Sequence, residues 1–429
     1  MRILMLSWEY PPRVVGGIAR VVHDLSHRLI TDGHDVTVVT YRDGNVPYFE
    51  NDSGVKVYRV DNFMIQPNNF IDWIMQLNFN MIAKTGEIIA NEGSFDVIHA
   101  HDWLVAYAAK TLKTSYNIPL VSTIHATEAG RNNGIREEQQ KYINDTEWML
   151  TYESSEVIVN SNYMKNELQR LFGLPFEKIN VVPNGVSASN FTVTERDYDF
   201  RRKYAMDNEK IILFMGRLVY EKGVQNLVAA MPKILDNYHD AKLIIAGKGG
   251  MLGELQNQVN NLGLGNKVYF TGHLSPKQVQ KMYKCADVSV FPSTYEPFGI
   301  VAIEAMLSGI PIVVSDIGGL NEIVEHGVTG MKSYAGNANS LADSILALLF
   351  DHKLCDSIVK NAKQKVKTQY NWTKIAQDTH FTYQKAICET MAERQAKQIA
   401  QEEAQKTASQ KKSNEITNLL SFKKRQAFA

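Results

Sequence analysis

Short apolar runs recur along the first half of the chain, separated by polar and turn-forming residues. Residues 3–7 form the first run. A loop with Pro11 and Pro12 follows, and Gly16 and Gly17 then open an amphipathic helix over residues 18–30 that Gly33 ends. Residues 36–40 resume the apolar pattern, so the start of the chain reads strand, glycine turn, helix, strand, the repeating unit of a parallel sheet. Further strands are expected at 55–60, 96–100, 120–124, 156–160 and 179–182. Their residues are apolar on both faces, as in strands covered by helices on each side.

The polar stretch 183–199 begins Pro-Asn-Gly and interrupts this rhythm, which places a domain boundary at about Asn190. Beyond it one phrase repeats: an apolar strand, then a small or turn-forming residue. Residues 211–215 lead to Gly216, 243–246 to Gly247, 268–271 to Gly272, 288–291 to Pro292 and 312–314 to Ser315. The pattern predicts an α/β protein with two doubly wound parallel sheets, one over 1–190 and one over 191–370. A last amphipathic run over 371–391 carries Ile375, Tyr383, Ile387 and Met391 on roughly one side. From 392 to 429 the apolar face thins to alanines, which points to a solvated helix or a disordered tail. Leu419, Leu420, Phe422, Lys423, Lys424 and Arg425 give that tail the composition of a weak membrane-surface or partner contact.

Composition narrows the class. The chain has 429 residues, too many for one ordinary core, and its 44% hydrophobic and 21% charged residues are those of a globular protein. Lys plus Arg equal Asp plus Glu at 46 each, so no global charge favours nucleic acid or an anionic membrane. The cysteines Cys285, Cys355 and Cys388 are odd in number and far apart, which argues against a disulfide framework or a cysteine-rich metal site. The first apolar run is too short for a signal peptide and no long apolar window exists. The expected location is therefore cytoplasmic, without stable membrane insertion.

The densest chemistry lies in STYEPFGIVAIEAMLSG, Ser293 to Gly309. Pro297 is tolerated in a first helical turn, so a helix is expected to begin there, with Glu296 on the loop before it and the N–H groups of Phe298, Gly299 and Ile300 free beside that carboxylate. Glu304 falls among Ile300, Ile303, Met306 and Leu307 in a nearly all-apolar helix, where a carboxylate needs a partner. Spacing alone leaves a surface salt bridge for Glu296 and a buried ion pair for Glu304 equally open. The stretch resembles the Glu-x7-Glu signature of the retaining glycosyltransferases that include glycogen and starch synthases. The resemblance implies that Glu296 and the backbone of Phe298, Gly299, Ile300 and Val301 hold a donor sugar, and that Glu304 binds the ribose of its nucleotide.

Other motifs carry the same resemblance. In GRLVYEKG, Arg217 and Lys222 stand beside the helix that Gly223 opens, two cations suited to a diphosphate without a metal. The alternative is a surface pair with Glu221. The resemblance assigns both cations to the donor phosphates, and the backbone at Gly272, His273 and Leu274 to the base. HAHDW matches a segment whose Asp, here Asp102, lines the cleft, and ATEAGRNNG matches the loop after the active-site His, here His125. Read without the family, His99, His101 and Asp102 resemble a metal cluster lacking a further ligand motif, and His125 sits where open sheets bind ligands. In the loop beyond it, Arg131 either binds an acceptor phosphate or pairs with Glu128 and presents Asn132 and Asn133 to sugar hydroxyls. The glycine pair Gly16-Gly17 is placed by the resemblance at the donor. Bacterial-type glycogen synthases carry a Lys two residues earlier, where this chain has Val14.

The family implies two Rossmann-like domains facing across a cleft, the GT-B fold, with the helix over 371–391 crossing back to the first. It implies transfer of glucose from a nucleotide diphosphate sugar to an α-1,4-glucan or a smaller sugar acceptor, with no cofactor and no metal. Asp197-Tyr198-Asp199 is a metal motif of another glycosyltransferase architecture, and Gly247-Lys248-Gly249-Gly250 is a fragment of a dinucleotide fingerprint. The former sits in a charged linker and the latter lacks its third glycine, so neither redirects the reading. A non-catalytic nucleotide-sugar sensor remains the alternative of a different class.

Overall fold

The computed structural model describes residues 1–61, 66–187, 191, 193 and 195–427. Beyond residue 401 it describes the side chains of Glu403, Gln405, Lys406, Thr407 and Lys411 alone. The boundary expected at about Asn190, and the side chains of Leu419, Leu420, Phe422, Lys423, Lys424 and Arg425, lie outside the described residues.

The first sheet has eight strands: β1 (Arg2–Leu6), β2 (Asp35–Tyr41), β3 (Phe49–Asp52), β4 (Val55–Val60), β5 (Val97–His101), β6 (Leu120–Ile124), β7 (Glu156–Val159) and β8 (Ile179–Val181). Their spatial order is β3-β4-β2-β1-β5-β6-β7-β8. All pairings are parallel except the β3–β4 hairpin, where Asp52 lies opposite Val55. The second sheet has six: β9 (Lys210–Met215), β10 (Ala241–Ala246), β11 (Val268–Gly272), β12 (Val288–Phe291), β13 (Ile312–Ser315) and β14 (Met331–Ser333). They are ordered β11-β10-β9-β12-β13-β14 and all parallel.

The pattern did not anticipate β3 and β14. Both are short edge strands, and Phe49-Glu50-Asn51-Asp52 has no apolar face to bury, so its ladder to β4 is invisible to periodicity. Elsewhere the double-sided burial follows from alternation. On one face of the first sheet Leu4, Leu6, Ile98 and Ala100 pack together, and on the other Ile3, Met5, Val97 and Val121.

The second of those clusters also contains Trp372, Ile375, Ala376, Tyr383 and Ala386, from the helix Trp372–Ala427 that follows the second sheet. That helix therefore packs on the first sheet, tied by Trp372 Nε1 to Asp24 Oδ2 at 3.2 Å and by Tyr383 Oη to His99 Nδ1 at 2.7 Å. Its residues 391–401 are exposed. Among the described residues no helix is long and apolar enough to cross a membrane.

Topology decides where a ligand can sit. In the first sheet the chain runs outward from β1 to one side, then returns to β5 on its other side; in the second it does the same about β9 and β12. A parallel sheet opens a crevice at such a reversal, outside the carboxyl ends of the two central strands. The loops there follow β1, β5, β9 and β12, and they carry Gly16-Gly17, Asp102, Arg217-Lys222 and Glu296.

Candidate active site

The loop after β12 departs from expectation in an informative way. Its helix spans Ile300–Ser308 and begins three residues beyond Pro297. The carbonyls of Glu296 and Pro297 would accept the first helical bonds, but they are already engaged by Gly319 N–H at 2.9 Å and by the Ser161 hydroxyl at 2.6 Å. Gly299, at φ 115°, then turns the backbone into the helix through a region that side-chain-bearing residues rarely adopt. Among the described residues the amides of Phe298, Gly299, Ile300 and Val301 consequently have no acceptor. Four consecutive free N–H groups at a helix start suit an anion or sugar hydroxyls.

Glu296 is buried beside them. Its Oε2 accepts from Lys222 Nζ at 2.6 Å and from Ser293 Oγ at 3.1 Å, while Oε1 has no partner among the described residues. Lys222 thus pairs with Glu296 and not with Glu221. The alternative considered for the cations does hold for Arg217, which lies 3.7 Å from Glu221 and is 56% exposed. The β9 and β12 loops are fastened together where Thr294 N–H donates to the Glu221 carbonyl at 2.8 Å.

Glu304 is buried in the same helix, and its partner comes from the other sheet unit: Arg20 donates to its Oε1 at 2.7 Å. Burial raises the Glu304 pKa, against which Arg20 works. Arg20 went unrecognised in the sequence because one cation on an amphipathic helix looks like any solvated residue; its partner is 284 positions away.

At the glycine pair that the resemblance places at the donor, part of the backbone is already engaged. The amides of Val15 and Gly16 donate to Glu9 Oε2 at 2.6 and 3.0 Å. Gly17 faces the other sheet unit, since a Cβ there would fall 2.9 Å from Ile300 Cδ1. Close packing between the two units is what this glycine permits. At the expected base site, Gly272 closes β11, His273 is exposed and Leu274 is buried in the core, so Leu274 offers a ligand its backbone alone.

The wall from the first sheet is more tightly built than expected. Asp102 has φ 62°, unusual for a non-glycine residue, and is held by its N–H to the Thr123 carbonyl. Its Oδ1 accepts the His125 N–H at 2.7 Å, while Oδ2 is buried without a hydrogen bond, 4.0 Å from Arg131. A strained residue with an unsatisfied buried oxygen is a feature that functional sites retain and cores avoid.

His125 Nε2 lies 3.2 Å from His101 Nδ1, the two rings stacked, and the His99 ring lies tilted against His101 with centroids 4.1 Å apart. Burial lowers the pKa of all three, His99 to about 3, so the imidazoles are neutral near pH 7. Both nitrogens of His99 are engaged, Nδ1 by the Tyr383 hydroxyl and Nε2 by the Thr123 hydroxyl, so it has no lone pair to give the cluster considered from HAHDW.

Arg131 lies 4.0 Å from both Glu128 and Asp102, held loosely between two carboxylates. Asn132 does not present its amide freely, because Nδ2 donates to the Glu128 carbonyl and carboxylate. Asp197 caps a short helix and pairs with Lys281 at 2.6 Å, and Asp199 pairs with Arg202 at the surface, so their carboxylates serve local structure.

Two side chains missed by sequence reasoning, Tyr295 and Glu167, hold the two walls together, and a third, Glu147, braces the first wall. Tyr295, next to Glu296, receives Thr127 N–H at 3.3 Å and donates to Glu167 Oε1 at 2.9 Å. Behind Arg131, both oxygens of Glu147 accept the Glu128 N–H. Burial pushes the Glu147 pKa up to about 8, which leaves it protonated at neutral pH. Because this folded-state value is raised, the folded protein binds the proton more tightly than the unfolded chain. Stability therefore falls as pH rises from about 4.5 towards 8. Replacing Glu147 by Gln removes that slope: the wild type loses melting temperature relative to Glu147→Gln between pH 5 and pH 9, and parallel curves for the two proteins would show that Glu147 ionises freely.

Comparison with known proteins bears on this geometry. Residues 196–365 match the family model for glycosyl transferases group 1, and residues 15–190 that for Glycosyltransferase Family 4. An uncharacterized glycosyltransferase from Methanocaldococcus jannaschii is 42% identical over 90% of this chain and 99% of its own length. A glycogen synthase from Mycobacterium tuberculosis is 35% identical over 89% of this chain and 94% of its own. Among solved structures, sucrose-phosphate synthase from Thermosynechococcus elongatus superposes with a TM-score of 0.79 at 26% identity, covering 90% of this chain and 99% of that one.

Proposed function

The chain belongs to the group 1 glycosyltransferases, enzymes of the GT-B type, and from that premise we propose that it transfers glucose from a nucleotide diphosphate sugar to an α-1,4-glucan with retention at the anomeric carbon. The observation that carries the reading is the Glu296 corner. One carboxylate oxygen is anchored by Lys222 and Ser293, the other is free, and four unpaired amides follow. That set can accept from the hydroxyls of a sugar while donating to its oxygens. Lys222 and Arg217, on the neighbouring β9 loop, supply the positive charge that a departing diphosphate needs.

In this account Lys222 and Arg217 bind the diphosphate and stabilise its departure, so no metal is required. Glu296 and the backbone of Phe298, Gly299, Ile300 and Val301 orient the glucose. Glu304 takes the ribose, for which it must share or release Arg20. Gly272, His273 and Leu274 meet the base, and Gly16 and Gly17 approach the phosphates from the first sheet unit. Asp102, His125, Arg131 and Asn132 form the acceptor side. Neutral His125 can donate to or accept from a hydroxyl, and the free Oδ2 of Asp102 can accept one.

A second reading rests on Arg131. A guanidinium held at 4.0 Å by two carboxylates is available to a phosphate, which would make the acceptor a small phosphorylated sugar.

Radiolabelled ADP-glucose and UDP-glucose, each offered with glycogen, maltooligosaccharides or glucose 1-phosphate, separate these readings. Label entering polymer that amylase digests is the expected result. Label confined to a phosphorylated disaccharide would favour the second reading, and tight donor binding without transfer to any acceptor would reduce the protein to a sensor.

A further inference from the structure

We propose that His23, His27 and Asp52 form a binding site for a zinc-type divalent cation, outside the transfer cleft and structural in role. His23 and His27 are four residues apart on the helix Ile18–Thr31, so both rings project from one face, with centroids 4.1 Å apart. Asp52 ends β3 and meets them. His27 Nε2 lies 3.3 Å from its Oδ1, and His23 Nε2 lies 3.7 Å from its Oδ2. Each residue offers one ligand atom, all within 4.8 Å of one another.

The hydrogen bonds around the group settle which atoms face inward. His27 Nδ1 lies 2.7 Å from the His23 carbonyl, which can only accept, so Nδ1 carries the proton. His23 Nδ1 lies 2.8 Å from Asp24 Oδ1 and carries its proton for the same reason. Both rings therefore turn Nε2 towards the Asp52 carboxylate. The two Nε2 atoms and a carboxylate oxygen of Asp52 thus converge on one region, where a single cation would meet all three.

The spacing suits such a cation. Ligand bonds of about 2.0–2.1 Å in a tetrahedron set neighbouring ligand atoms about 3.3–3.4 Å apart; His27 Nε2 and Asp52 Oδ1 stand at 3.3 Å, and the three ligand atoms all lie within 4.8 Å of one another. Two imidazoles and one carboxylate favour zinc over magnesium or calcium, which prefer all-oxygen shells. The outer partners are those of a metal site. Asp24 orients His23, a backbone carbonyl orients His27, and the Tyr10 hydroxyl donates to Asp52 Oδ2 at 2.9 Å. All three ligands are partly exposed, which leaves the fourth position to water.

The position suggests the role. The cation would tie the first helix to the edge hairpin of the first sheet. Asp24 also accepts from Trp372 Nε1, where the last helix begins, and Arg20, one turn before His23, grips Glu304 of the second sheet unit. A metal here stiffens the helix through which three parts of the molecule are joined.

The test titrates chelator-treated full-length protein with ZnCl2 by calorimetry and follows its melting temperature. One equivalent should bind, and the melting temperature should rise. Asp24→Asn, which removes the charge orienting His23, should weaken binding about 10- to 100-fold, and the double variant His23→Ala/His27→Ala should abolish the one-equivalent step and the thermal shift. Asp52→Asn, which keeps the shape of the site, should lose the same step even if the double variant folds poorly. Absence of stoichiometric zinc binding in the wild type, or binding unchanged in Asp52→Asn, would overturn the assignment.

Discussion

Glu296→Gln lowers turnover by about 10² or more while the protein stays folded and binds nucleotide. The substitution keeps the side chain's size, but it exchanges an acceptor-only carboxylate for an amide. Lys222 then faces a neutral group, and the free Oε1 position is either a weaker acceptor or a donor. A loss of this size corresponds to about 2.7 kcal/mol of transition-state stabilisation, within the range for one preorganised electrostatic contact in a water-poor site. The fall should appear in kcat, because the charge matters most as the glycosidic bond breaks. Circular dichroism and nucleotide affinity serve as controls for folding. Near-normal kcat in a folded variant would make Glu296 a structural partner of Lys222 and nothing more.

Lys222→Ala should cost about 10² in rate as well, and it should do so in the presence of a chelator as much as in its absence. At an effective dielectric near 20, a unit charge about 4 Å from another is worth about 4 kcal/mol, so a partly buried ammonium beside a departing diphosphate is a large lever. Arg217→Ala should cost less, because that guanidinium is half exposed and screened. Chelation of the wild type should leave turnover intact even where it removes a stabilising cation bound at His23, His27 and Asp52. Turnover abolished by chelator and restored by a divalent ion would contradict the view that Lys222 and Arg217 perform the charge stabilisation.

The sheets were legible because their strands are buried on both faces, and near-continuous apolar runs survive any local context; β5, β6, β9 and β12 lie where the runs of apolar residues placed them. Edge strands were not legible, because Phe49–Asp52 is held by a hairpin ladder and not by burial. The chemistry of the Glu296 loop was legible as a motif, yet its helix start was not. Pro297 is compatible with a first turn, and what prevents one is the capture of two carbonyls by Ser161 and Gly319, contacts that no local pattern encodes.

The same limit hid Arg20, Tyr295, Glu147 and the His23–His27–Asp52 group. Each acquires its meaning from a partner on another element. Only His23 and His27 carry a local signal, a four-residue spacing on one helix face, and without Asp52 that spacing is common on surface helices.

Proton NMR of the product made from an α-linked nucleotide glucose and a maltooligosaccharide tests the central claim most directly. A retaining glucan synthase yields a new anomeric signal with the small coupling of an α-1,4 linkage, growing in step with release of the nucleoside diphosphate. A β-anomeric signal, or nucleoside diphosphate released with only free glucose formed, would contradict retaining transfer to a glucan.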